Sequence, residues 1–133
     1  MVQQTGIYGG IDMFGEISKW LDNALNQEIP DEVVAFCFNL YEDGNNKWSM
    51  EIVGTDRFDV EDEDWCCDEV TDFGTRDNCY TWEESKTWDE VLSGITSLLK
   101  DYLESGACAK LLKEKSGIGV GFVDGDIEII YQK

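Results

Sequence analysis

Histidine is missing altogether, and with it go the Ser-His and Cys-His nucleophile pairs and the commonest metal-ligating side chain. Basic residues are scarce as well: ten Lys and Arg stand against twenty-nine Asp and Glu, a formal net charge of −19. A field of that sign repels nucleic-acid phosphates and anionic lipid and attracts cationic surfaces, over a range that salt shortens. Neither direct nucleic-acid binding nor attachment to a membrane is therefore expected. No apolar run approaches the ~18 residues of a spanning helix. Met1 to Gly10 has neither the basic start nor the apolar stretch of a secretory signal, so a cytoplasmic chain is expected. A regular disulfide framework is also absent. The cysteines Cys37, Cys66, Cys67, Cys79 and Cys108 are odd in number and irregular in spacing, which points to free, mostly packed thiols in a reducing compartment.

What is present suffices for a core. The chain has 133 residues, 42% of them hydrophobic and 12% aromatic, unlike the aromatic-poor composition of disordered acidic chains. A chain of this size buries about two-thirds of its unfolded surface in one domain. Phe14, Ile17, Trp20, Leu21, Ala24 and Leu25 recur at helical spacing, with Asp12 placed to cap the helix. Pro30 breaks that pattern. Val33 to Tyr41 follows as a strand apolar on both faces, and Glu42 to Asn46 as a turn. Trp48, Met50 and Ile52 then alternate with Ser49 and Glu51 as in a half-buried strand, completing a hairpin. Asn78 to Trp82 reads as a further short strand. Thr87-Trp88-Asp89-Glu90 is a capping box that opens a helix with a Val91, Leu92, Ile95, Leu98, Leu99, Tyr102, Leu103 stripe, and Gly106 is placed to end it in a left-handed cap. A short helix through Leu111 and Leu112 follows. The two residues Asp124-Gly125 then join two closing strands as a tight hairpin. Strands come in pairs without strand-helix alternation, so the expected architecture over 1–133 is a single α+β domain, a mainly antiparallel sheet with helices on one face.

Chemistry is harder to find. No set of residues offers a base, a nucleophile and an orienting partner together, so catalysis and a cofactor are not expected. Adjacent Cys66 and Cys67 lack the two-residue gap of a zinc knuckle. The run Asp59-Val60-Glu61-Asp62-Glu63-Asp64 invites a calcium reading. An EF-hand loop, however, wants glycine at its sixth position and glutamate at its twelfth, where this chain has Asp64 and Val70. No metal site is assigned, although clustered carboxylates leave a divalent-cation-binding protein as an alternative. Gly117, Gly119 and Gly121 resemble a dinucleotide loop only superficially, because they run into a strand instead of opening a helix. Alternating glycines in a strand mark close packing against another element or a twisted edge.

From Asp56 to Asp72 nine carboxylates accompany a single Arg57, with Phe58, Val60, Trp65 and Val70 among them. Charge for steering beside an aromatic anchor is how many protein-binding surfaces are built. Asp59, Glu61, Asp62, Glu63, Asp64, Trp65, Asp68 and Glu69 are accordingly the candidate partner-binding residues. Trp65 has two readings, interface or core. The stretches Trp48-Ser49-Met50-Glu51-Ile52-Val53-Gly54-Thr55, Phe58-Asp59 and Asp62-Glu63-Asp64-Trp65-Cys66-Cys67-Asp68-Glu69-Val70 resemble the central segment of the small acidic immunity proteins encoded beside bacterial polymorphic toxins. That resemblance implies a protein that binds a toxin domain, often a nuclease, and covers its active site. A nuclease is basic where it holds nucleic acid, which makes an acidic inhibitor its complement. An acidic nucleic-acid mimic that inhibits a nuclease is the alternative within binding.

Overall fold

The computed structural model describes residues 7–8 and 11–133. Apart from Ile7–Tyr8, the stretch read above for a signal sequence lies outside them, and so does the side chain of Asp12. In chain order the elements are β1 (Ile7–Tyr8), β2 (Ile11–Asp12), α1 (Met13–Ala24), β3 (Ala35–Gly44), β4 (Lys47–Thr55), a 3-10 turn (Glu63–Cys67), β5 (Glu69–Gly74), β6 (Tyr80–Glu83), α2 (Trp88–Ser105), α3 (Ala109–Lys113), β7 (Gly117–Phe122) and β8 (Glu128–Gln132). β1 and β2 pair with each other, and the rest form one sheet in the order β5-β4-β3-β7-β8, with β6 also beside β4. The expected α+β architecture is present. One pairing departs from the antiparallel pattern, since β7 lies parallel to β3. It returns to the sheet only after α2 and α3, and a helical crossover brings a strand back in the direction of its neighbour.

Local chemistry explains most boundaries. The β3–β4 hairpin turns at Asn45 and Asn46, whose φ angles of 55° and 63° are those of a type I′ turn, a geometry that asparagine tolerates. Trp88–Ser105 begins at the predicted capping box, where the Thr87 backbone N–H donates to Glu90 Oε1 at 3.0 Å. Thr87→Ala should lower stability by ~1 kcal/mol, read as a shifted denaturant midpoint with unchanged slope. An unmoved midpoint would mean that the cap contributes nothing.

Two local expectations are corrected. Gly106 does end α2, but with φ −70° and ψ 154°, extended and not left-handed. Its lack of a side chain serves packing, because a Cβ there would collide with the Tyr102 ring. That ring is fixed by its hydroxyl, which donates to Asp22 Oδ1 at 2.6 Å and accepts from the Cys108 N–H at 3.1 Å. The Asp124-Gly125 pair, for its part, does not make a two-residue hairpin. Val120 pairs with Glu128, so the connection runs from Val123 to Ile127. Neither residue of the pair has the positive φ that the tight turn requires.

The two faces of the sheet differ. Phe36, Phe38 and Leu40 of β3, Trp48, Met50 and Ile52 of β4, and Ile118, Val120 and Phe122 of β7 point into the main core with Ile17 and Leu21 of α1 and Val91, Ile95 and Leu99 of α2. The opposite face carries a smaller cluster of Ala35, Cys37, Val53, Trp65 and Cys66. β3 and β7 are in register there, with Ala35 opposite Gly117, Cys37 opposite Gly119 and Asn39 opposite Gly121. The glycines thus form a lane without side chains, and the close packing expected of them is what the structure shows. Phe58 lies over Gly117, and the Asp126 carbonyl lies over Gly121. A Cβ at Gly119 would stand 2.9 Å from the Trp65 ring and 2.8 Å from Ile127.

Candidate partner-binding site

The acidic segment is the element that covers this second face. It leaves β4 at Thr55 and closes on itself at its base, where the Asp56 N–H donates to the Asp68 carbonyl at 3.0 Å and Thr55 pairs with Glu69. Phe58 and Trp65 point down from it onto the glycine lane, their rings 4.8 Å apart and edge to face. Of the two readings of Trp65 the structure supports the core, for the residue is 0% exposed. Trp65 is therefore removed from the contact residues. An aromatic side chain in a carboxylate run turns inward here because the glycines open a slot that only a large apolar group fills.

The cysteines also need correction. Cys37 and Cys66 form a disulfide, so the expectation of free thiols holds only for Cys67, Cys79 and Cys108. Irregular spacing in sequence hid the pair, since folding the segment back over β3 brings its 3-10 turn onto Cys37.

Arg57 organises the carboxylates. Its Nε donates to Asp68 Oδ2 at 2.6 Å, its Nη1 donates to Asp62 Oδ2 at 3.2 Å, and Asp59 Oδ2 lies 4.0 Å from the same nitrogen. The guanidinium sits among these three carboxylates, the place a divalent cation would take. Among the described residues no group of three or more His, Cys, Asp or Glu side chains is arranged to hold a metal ion. Asp62 also caps the 3-10 turn by accepting from the Asp64 N–H at 3.1 Å. That bond first, and Arg57 second, hold the Asp62 carboxyl below its ordinary value. Asp68 and then Asp62 stabilise the charged guanidinium of Arg57 in turn.

The remaining predicted residues separate by orientation. Glu69 accepts from Arg76 Nη2 at 2.8 Å. Glu63 accepts from the Ile127 N–H at 3.3 Å, tying the segment to the β7–β8 connection. Glu61, Asp62, Glu63 and Asp64 are exposed, while Asp59, Asp68 and Glu69 are half-buried against their arginines. Among the described residues the carboxylates of Glu61 and Asp64 accept no hydrogen bond. The segment is thus pinned from beneath and carries its free charge on the outer side.

A neighbouring polar network was missed in the sequence. Glu51 was placed on the watery side of a half-buried strand, yet it is 0% exposed. It accepts from Tyr41 Oη at 2.5 Å, from Asn39 Nδ2 at 3.0 Å and from Arg76 Nε at 3.2 Å. Burial works to raise its pKa, but these three donors outweigh burial and leave it lowered, as for a carboxylate with several bonds to its charged form. Burial and the Glu51 charge push Tyr41 up to about 12. Glu51 is held as a hydrogen-bonded anion inside the sheet face.

No family model, curated protein or solved structure matches the chain. No helix among the described residues is long and apolar enough to cross a membrane.

Proposed function

We propose that this protein acts by binding and not by catalysis, neutralising a basic toxin domain as the immunity proteins that its central segment resembles do. The observation that carries the reading is the outward row Glu61, Asp62, Glu63 and Asp64, presented by a segment fixed through Arg57, Trp65 and Cys66. Exposed charge on a rigid support, with Glu61 and Asp64 accepting no hydrogen bond among the described residues, acts on encounter, because long-range attraction orients a cationic partner before contact. The net charge of −19 extends that attraction over the whole molecule and sets its sign.

The clean test uses the two carboxylates with no structural duty. Reversing Glu61 and Asp64 to Lys together should lower the association rate by about an order of magnitude at low salt, with a smaller effect on dissociation. Surface-plasmon kinetics against the neighbouring toxin domain at two ionic strengths measures both rates. Asp62 is left in place because its substitution would also remove the cap and the Arg57 contact. A folded double variant with unaltered association at low salt would reduce the segment to a solubilising face.

A further inference from the structure

We infer that a second surface, centred on Trp88 and Val123, is the apolar anchor of the same interaction and seats an apolar side chain ringed by Lys and Arg on the partner protein. Trp88 is 59% exposed and Val123 55% exposed, an unusual placing for a tryptophan in a chain that buries most of its aromatic rings. Both adjoin Phe122, Trp88 by ring contact and Val123 as the next residue in the chain. The Trp88 ring meets Phe122 edge to face at 6.2 Å, and Phe122 meets Trp48 at 6.0 Å. Trp88 thus stands on a stack rooted in the core and is held for contact at little entropic cost.

The occupant follows from the rim. Asp89 and Glu90 adjoin Trp88 in the first turn of α2, Asp124 and Asp126 follow Val123, and Glu42 lies opposite Trp48, all five exposed, while the nearby Lys86 is paired with Glu84. A second copy of this chain would bring two such rims together and be repelled, and anionic lipid or nucleic acid would be repelled likewise. A cationic protein surface is the complement: apolar at its centre, where water must be excluded, and basic around it. The Val123–Ile127 connection that carries Val123 is bonded to Glu63 of the acidic segment through the Ile127 N–H at 3.3 Å, so the anchor and the charged segment, which cover opposite faces of the sheet, are linked at this loop. Charge on the segment and an anchor at the far side of the loop divide the work between encounter and residence.

This inference rests on the reading that the partner is a basic protein, and the experiment separates the two. The probe is the purified C-terminal domain of the protein encoded immediately upstream, captured on a sensor surface. Trp88→Ala should raise the dissociation rate at least tenfold while association changes less than twofold, with Trp88→Phe restoring most of the lifetime. Val123→Glu, in a loop outside the helix, tests the same surface without touching α2, and should also shorten the lifetime. Thermal midpoints within a degree or two of wild type confirm that each variant is folded. If wild type binds and both Trp88→Ala and Val123→Glu dissociate at the wild-type rate, the anchor assignment is wrong and the steering role of the segment stands. If wild type does not bind the probe, the functional reading fails and this inference with it.

Discussion

Trp65→Ala should destabilise the protein by ~3–5 kcal/mol, the range for emptying a large aromatic site in a core, against a total stability of about 5–15 kcal/mol for a domain. The ring is fully buried, packed edge to face against Phe58 and seated on Gly119, so little of the cavity can close by side-chain movement. Both neighbours beneath it are fixed, the glycine by its strand and Cys37 by its bond to Cys66. Chemical denaturation should show a lower midpoint, and limited proteolysis should cut first between Asp56 and Asp68, because the acidic segment loses its footing before the main core does. Loss of partner binding in this variant would report unfolding of the segment and not a lost contact. A variant within 1 kcal/mol of wild type would show that the segment is held without the ring.

The sequence carried the layered outline because its strongest patterns are local. The Ile17–Leu21 periodicity, the Asn45-Asn46 turn and the Thr87-Glu90 box each depend on residues within a few positions of one another. What was not legible is the second face of the sheet. Glu51 lies between Met50 and Ile52 in an alternation that reads as solvent side, and only the approach of Tyr41, Asn39 and Arg76 makes it interior. Trp65 was undecidable because nothing near it in the chain says whether a slot awaits it. That slot is made by Gly119, fifty-four positions on, so the glycines and the acidic segment were legible separately but not as a pair. Trp88 entered the sequence reading only as a member of the capping box, and its exposure of 59%, with its ring meeting Phe122 edge to face, is set by tertiary contacts that the local pattern does not carry.

Titrated in denaturant without reductant, the freshly prepared protein should show three reactive thiols, Cys67, Cys79 and Cys108, and all five only after reduction. Cys37 is the third residue of β3 and has no exposure, and its Cα lies 5.9 Å from that of Cys66, inside the span that a disulfide bridges without backbone movement. The bond closes a loop of sequence separation 29, which contains the β3–β4 hairpin and the acidic segment as far as its 3-10 turn. Loop-closure entropy for that length gives ~3–4 kcal/mol of stabilisation through the unfolded chain. Reduction, or Cys37→Ala with Cys66→Ala, should therefore lower the denaturation midpoint by a comparable amount. The reduced protein should stay folded, since the Trp65 packing and the Arg57 contacts are independent of the bond. Its effect on binding should appear mainly in the acidic segment, which would be tied down by packing alone and would open more often. Five reactive thiols without reductant, together with a midpoint indifferent to reduction, would show that Cys37 and Cys66 pack as neighbours without bonding and would return the cysteines to the free state read from their spacing.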